Sequence, residues 1–363
     1  MSWPKNCGAL RKPLNPESGD PLESLHIVWV TLLVALPVVI AASSVLRIRR
    51  TRVLALMQDS SPVVLVLAWI ALVIAIGTGA WILAAFSGTV AMYHAYILMA
   101  LVRSRPVPRW VEHAPRTSVA VANIYVGNDQ LEAATSQLLA AKADVLVVVE
   151  TSPEFRRIFD EAGASTLYPF RTFDPEDRSD YAASMYSRQK PLSLEMICIG
   201  ELPAARAVVD CNGVPLEILG VIPSAAVDPG GYERWHRQMD SLLRYARASS
   251  GPLVVAGDLN TTIHRAAYQD VRDTGLDDAH DDLGLGLRPS FKLAAKGILS
   301  KLGPLVRLDH ALTNRWVWPI GVVDLEPIGS DHRPFVVTLA PRSPHGSSRH
   351  HRPPDSYAPV PAS

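Results

Sequence analysis

From Pro62 to Val102 the chain carries no Asp, Glu, Lys or Arg. About 41 residues at 1.5 Å of helical rise reach roughly twice the hydrocarbon thickness of a bilayer. No polar face interrupts the tract, so a half-buried helix of a soluble core does not account for it. The expectation is two helices joined by a tight turn near Phe86-Ser87-Gly88. A second apolar run, Leu25 to Leu46, precedes it and is broken only by His26 near its edge and by Pro37. Its length of about 22 residues matches one bilayer span. Three membrane spans are therefore expected, at 25–46, 62–82 and 84–102, with two as the alternative. Residues 1–24, rich in Pro, Gly and charge, read as a disordered leader, and the late start of the apolar run argues against a signal peptide.

Charge sets two arguments against each other. Arg47, Arg49, Arg50 and Arg52 follow the first run, and Arg103, Arg105 and Arg109 follow the last. If both clusters are cytoplasmic, three spans place whatever follows in the cytoplasm. Lys5, Arg11 and Lys12 in the leader favour the opposite orientation, and long domains translocate largely regardless of charge. Lys+Arg and Asp+Glu both number 35, so no overall basic field points to nucleic acid as partner. Cys7, Cys198 and Cys211 form neither a disulfide framework nor a metal spacing. Cys198 and Cys211 could meet across a hairpin, and buried free thiols are the plainer reading.

Beyond a linker at 103–116 the composition turns globular. Asn128–Lys142 has a helical apolar pattern at Leu131, Ala134, Leu138 and Leu139, and Pro153–Ala162 starts a helix behind Thr151-Ser152. Tyr181–Ser187, Glu195–Ile199 and Pro215–Val221 read as strands, and Gly231–Ala248 as a long helix. Frequent strands with few helices between them predict a mostly antiparallel two-sheet core with helices outside. Residues 341–363 are Pro-, Ser- and His-rich and read as a disordered tail, in which His345, His350 and His351 are solvated.

Within this part, Pro252 to Ala256 is a buried strand ended by Gly257, and Asp258 and Asn260 stand just past it. A carboxylate and an amide converging there suit a hard metal and a phosphate oxygen, or an attacking water. The same pattern is also an Asx-turn or helix cap. Other apolar runs border similar residues: Ser118–Ala122 ends on Asn123, Val145–Val149 ends on Glu150, and Arg307-Leu308-Asp309-His310 and Gly329-Ser330-Asp331-His332-Arg333-Pro334 follow. In this order, over roughly residues 117–340, these motifs resemble the endonuclease/exonuclease/phosphatase superfamily of metal-dependent phosphoesterases. The resemblance implies an α/β fold, a two-sheet α/β sandwich, preceded here by the transmembrane helical region.

It also implies roles. Glu150 would be the principal ligand of Mg²⁺ or Mn²⁺, with Asn123 beside it and Asp331 completing the acidic cluster. Asp258 would orient or deprotonate the attacking water, Asn260 would hold a phosphate oxygen, and His332 would contact the phosphate with Asp309 fixing its tautomer and charge. Arg188, closing the strand Tyr181–Ser187, is a candidate phosphate contact or a solvated edge charge. One departure stands out. Where many members carry a His or Tyr, this chain has Ile222, which can neither bind phosphate nor protonate a leaving group; His310, Tyr232, His236 and His264 are the imaginable substitutes. The expected function is a membrane-anchored divalent-metal phosphoesterase acting on a phosphoester of the nucleic-acid, lipid head-group or inositol-phosphate class. The alternative is a weakly active or non-catalytic ligand-binding member. A multi-pass place in the cell membrane is expected, and membrane-anchored relatives with three leading spans favour an extracytoplasmic domain.

Overall fold

The computed structural model describes residues 21–49, 51–172, 183–226, 228–292, 301 and 303–344. The N-terminal part is helical: α1 Pro21–Val45, α2 Arg52–Asp59, α3 Ser61–Val64, α4 Val66–Gly77 and α5 Trp81–Val102. Ile40, Leu65, Ala68 and Val90 pack these helices together. The long apolar tract breaks at Thr78–Ala80, not at Phe86-Ser87-Gly88, which lie inside α5. The reason is a glycine-terminated helix end: Gly79 is left-handed, and the Ala80 N–H returns to the Ala75 carbonyl at 2.9 Å. Trp81–Val102 is long and apolar enough to cross a membrane. Arg52–Asp59 with Ser61–Gly77 is so only when taken together across a 62° bend. Of the leader expected at 1–24, residues 21–24 belong to α1 and the rest lie outside the described residues, as do Cys7, Tyr181, the tail beyond Pro344 and its three histidines.

The remainder builds a layered sandwich. Its strands are β1 Thr117–Asn123, β2 Val145–Val149, β3 Phe170–Arg171, β4 Ser184–Ser187, β5 Ser193–Ile199, β6 Leu202–Cys211, β7 Val214–Val221, β8 Leu253–Asp258, β9 Asp277–Asp278, β10 Asp309–Thr313, β11 Val317–Asp324 and β12 Phe335–Pro341. Its helices are α6 Leu131–Ala141, α7 Pro153–Glu161, α8 Ala164–Leu167, α9 Pro229–Ala248, α10 Tyr268–Asp273 and α11 Ala279–Asp282. Among the described residues the strands form two six-stranded sheets, ordered β11-β12-β1-β2-β4-β3 and β5-β6-β7-β8-β10-β9. Each is mixed, with one parallel pair, β1–β2 or β7–β8, among antiparallel neighbours. The free thiols Cys198 and Cys211 are not bonded to each other.

Strand periodicity explains the continuous apolar runs. In β2, Val145, Val147 and Val149 face the space between the sheets, while Leu146 and Val148 face α6 and α7. In β8, Val254 and Ala256 point between the sheets, and Leu253 and Val255 point toward α9. Both faces are buried, so alternation of apolar and polar residues disappears. Gly257 does not end β8, contrary to the sequence reading. It lies within the strand, where a Cβ would come 2.0 Å from the Val221 carbonyl oxygen, so only glycine allows β7 and β8 to approach there.

Candidate active site

Topology delivers the polar residues to one edge. Parallel β1 and β2 end side by side, with Asn123 opposite Val149, so Glu150 follows at the same rim. In the facing sheet β7 and β8 also end together, with Val221 beside Gly257 and Asp258 next. Antiparallel β10 begins where β8 ends, which sets Asp309 opposite Asp258. The Ser330–Arg333 segment enters β12 at that edge, tied down by the Ser330 hydroxyl donating to the Asn123 carbonyl at 2.9 Å.

Asn123 is the bracket of the site. Its Nδ2 donates to Glu150 Oε1 at 2.9 Å and to Asp258 Oδ2 at 3.1 Å. Its Oδ1 accepts the Tyr125 backbone N–H at 2.9 Å, and that N–H can only donate, so the amide's orientation is set. The amide nitrogen therefore faces the carboxylates. Asn123 thereby aligns Glu150, beside which the resemblance placed it. Tyr125, Glu150 and Asn260 all hold left-handed backbone, which costs a non-glycine residue about 1–3 kcal/mol and clusters at functional edges.

Asp258 is nearly inaccessible, and its Oδ1 accepts the Asn260 N–H at 2.8 Å. That is an Asx-turn, so the local and the chemical readings of Asp-x-Asn hold together. Asn260 reaches the same cleft and donates from Nδ2 to the Pro223 carbonyl at 2.9 Å, leaving a second N–H on that nitrogen for a ligand. Burial pushes the Asp258 carboxyl up to about 7; Asp309 and Glu150 add to this, and His332 and the Asn260 N–H oppose it.

His332 Nδ1 lies 2.8 Å from Asp309 Oδ2, and Nε2 lies 3.7 Å from Asp258 Oδ2. Burial alone would lower its pKa, yet Asp309 and Asp258 outweigh it and hold the ring in its charged form. Ser290, which the sequence reading passed over, donates to Asp309 Oδ2 at 2.7 Å and accepts the Leu308 and Asp309 N–H groups. Asp258, Asp309 and His332 each present an atom within 4.8 Å of the others, a group that could hold a metal ion. Of these, the carboxylate oxygens suit a hard divalent cation better than the imidazole nitrogen does. Asp331 Oδ1 and Asp309 Oδ1 are buried with no hydrogen-bond partner among the described residues, and Glu150 borders the open cleft. Hard carboxylate oxygens of this kind suit Mg²⁺ or Mn²⁺.

Glu150, Asp258, Asn260, Asp331 and His332 line a cleft of about 410 Å³. Tyr125 and Asp59, which the sequence reading did not name, line it too. Tyr125 follows β1 by two positions, a placement that could have drawn notice, whereas Asp59 comes from α2 and nothing local marks it. Asp59 accepts from the Thr262 N–H at 3.1 Å, from the Thr262 hydroxyl at 2.9 Å and from Arg265, just beyond the Asp258–Asn260 turn.

Arg188 does not join the site. β4 runs antiparallel to β2, so Ser187 pairs with Val145 at the start of β2. Arg188 donates to the Lys142 carbonyl at 2.9 Å, at the end of the sheet remote from Glu150. The substitutes imagined for Ile222 are also engaged elsewhere. His310 is buried between Asp278 Oδ2 at 2.7 Å and the Thr261 carbonyl at 2.9 Å, because neighbours on a strand face opposite sides. The Tyr232 hydroxyl donates to the Arg49 carbonyl, His236 packs on Tyr232 and Trp235, and His264 lines a separate cavity beside Pro62 and Leu101. Ile222 packs on the inter-sheet core.

The two-sheet sandwich thus brings carboxylates, an amide and an Asp–His pair to one strand edge. The family model described as "Endonuclease/Exonuclease/phosphatase family" matches residues 120–332, more than half of the chain, and the chain belongs to that family. Its members are mostly phosphoesterases. No curated protein sequence matches the chain significantly. Similar solved structures include a humanized D. rerio TDP2 carrying 14 mutations, at 17% identity and a TM-score of 0.48, covering 62% of this chain and 98% of that one. An endonuclease/exonuclease/phosphatase from Beutenbergia cavernae DSM 12333 is 16% identical with a TM-score of 0.48, covering 62% and 72%. Sphingomyelinase C from Streptomyces griseocarneus is 17% identical with a TM-score of 0.44, covering 62% and 99%.

Proposed function

We propose that the protein is a divalent-metal-dependent phosphoesterase carried on a membrane-embedded helical region. The observation that supports this most is the single bracket in which Asn123 joins Glu150 to Asp258 while Asp309 presents His332 to the same carboxylate. A phosphoester resists water because it is negatively charged, and a divalent cation held by Glu150 and Asp331 would supply Lewis acidity toward its oxygens. Asp258, fixed by the Asn260 N–H and poised near neutrality, orients the attacking water and takes its proton. His332, charged and anchored through Nδ1, offers Nε2–H to a phosphoryl oxygen, as preorganised donors do. The spare N–H of Asn260 adds a second donor.

The test is Mg²⁺-dependent hydrolysis of bis(p-nitrophenyl) phosphate by the full chain. Glu150→Gln should lower the rate by more than about a hundred-fold, since an amide cannot neutralise the cation as a carboxylate does. Full activity in that variant, or activity surviving EDTA, sinks the reading. Ile222 motivates a second reading, a ligand-binding protein on the same scaffold, for which Mg²⁺ and phosphate would bind by calorimetry without turnover.

The domain is proposed to lie on the extracytoplasmic side, an assignment that rests on the resemblance. Arg47 pairs with Asp273 at 2.7 Å, Arg49 with Asp270, and Arg105 with Asp277 and Asp282. Both arginine groups thus stand beside the domain, and charge counting alone would favour the cytoplasm. Protease added to intact cells should degrade the chain beyond Arg109; a protected domain reverses the assignment.

A further inference from the structure

The cleft has a second wall that the phosphoesterase chemistry does not require. Leu56 and Ser60 come from α2 and its cap, and they face a cleft completed by Ala226, Phe291, Val306 and Leu308. Leu56 is 44% exposed at this mouth. The opposite side of α2 is built into the protein, for Ala55 lies in the core beneath α9, and the Gln58 side chain accepts the Ala266 N–H at 2.9 Å. The wall is therefore held in place.

Its apolar lining does not stop at the cleft. Val306 also borders a cavity shared with Pro62, Leu101 and Leu287, where the ends of α3 and α5 meet the domain. The Gly286 N–H donates to the Leu101 carbonyl at 2.9 Å, and the Arg105 N–H to the Asp282 carbonyl at 2.8 Å, so the end of α5 is fastened to the domain's rim. Past Ser60 the same chain continues into α3 and α4, whose Val63, Val66, Ile70 and Val73 are exposed. The apolar wall of the cleft thus lies on the same short stretch of chain as the exposed apolar faces of α3 and α4.

Charge points the same way. Apart from His332, Arg265 is the one cationic side chain among the described residues lining the cleft, and it is paired with Asp59. A polynucleotide is held by several Lys or Arg contacts to successive phosphates, and the described residues of the cleft offer no such row. A single phosphate attached to an apolar body needs none.

We propose that the substrate is the phosphodiester headgroup of a bilayer phospholipid, with its phosphate at Asp258 and His332 and its acylated part against Leu56 of α2. This rests on the phosphoesterase reading above. Water's oxygen bonds to phosphorus, the P–O bond to the leaving alcohol breaks, and the water's second proton ends on that alcohol, giving a phosphomonoester and an alcohol without redox change. α2 is the specificity element, setting the cleft at the height of the helix ends, where headgroups lie.

The experiment uses the full chain reconstituted in vesicles of phosphatidylethanolamine and phosphatidylglycerol, with Mg²⁺. Three rates are compared: headgroup release from the vesicles, hydrolysis of bis(p-nitrophenyl) phosphate, and hydrolysis of a single-stranded oligonucleotide. The lipid should be cleaved at least about ten-fold more efficiently than the oligonucleotide, and Leu56→Asp should lower the ratio of lipid to bis(p-nitrophenyl) phosphate hydrolysis about ten-fold or more, the scale of an altered apolar subsite. Leu56→Met should restore that ratio. Val323→Asp, which charges a still more exposed apolar position on β11, should leave it as in the parent chain. Hydrolysis of bis(p-nitrophenyl) phosphate with intact vesicles overturns the lipid proposal and leaves the phosphoesterase standing. So does faster cleavage of the oligonucleotide, or a ratio indifferent to Leu56→Asp. Failure to hydrolyse any of the three overturns both.

Discussion

The strand edge and α2 both line the cleft, and they are held there by different means. On the strand edge each polar side chain is fixed by others: Asn123 by the Tyr125 N–H and two carboxylates, Asp309 by Ser290 and His332, Asp258 by Asn260. Little there can move without breaking a buried hydrogen bond, which costs about 1–3 kcal/mol. On α2 the cleft-facing Leu56 is exposed and apolar, and rigidity comes from the turn behind it, where Asp59 grips Thr262 and Arg265. On the proposed reading the edge performs the chemistry and the helix selects the substrate. Asp59 is where the two are coupled, because the loop it holds begins directly after Asn260.

The largest effect should come from the edge. His332→Gln removes the charged donor and should lower kcat by roughly 10²–10⁴-fold, with Asp309→Asn reproducing most of that loss. A His332 variant of nearly full activity would mean that the Asp258–His332 pair is structural. The coupling comes next. Asp59→Ala leaves the buried Arg265 guanidinium without its carboxylate, so a lowered thermal midpoint equivalent to about 3 kcal/mol is expected, together with a kcat reduced about ten-fold. If that variant unfolds early yet keeps the parent kcat, α2 stabilises the domain without shaping its site. The smallest effect is expected at Arg188→Ala. That residue is bonded at the remote end of β2, and kcat/KM should change by less than about two-fold. A larger loss would bring Arg188 back into phosphate binding and contradict the antiparallel placement of β4.

Much of the site could be read from the chain because each residue sits at the boundary of a recognisable strand. β-branched runs at Val145–Val149 and Leu253–Ala256 announce buried strands, and the residues at their ends must emerge at a sheet edge. Asn123, Glu150, Asp258, Asn260, Asp309, Asp331 and His332 all reach one region by this logic. Arg188 fails for an equally simple reason: it too ends a strand, but strand direction is not encoded locally, and β4 runs the other way. Ser290 lies in a loop with no periodicity to mark it.

What the sequence by itself determined is which segments are apolar helix, which are buried strand, and which polar residues stand at their ends, since these follow from hydrophobic period and backbone preference within a few neighbours. Tertiary structure alone decided three things. It set the orientation of the Asn123 amide, because the Tyr125 N–H donates to its oxygen. It broke the apolar tract at Gly79 in preference to Gly88, which sits where α5 packs against Leu72 of α4. And it folded α2, about two hundred residues distant from Thr262 in the chain, onto the loop that follows Asn260. Such a contact depends on how two separately legible regions dock, and docking is set by complementary surfaces that no local stretch of sequence contains.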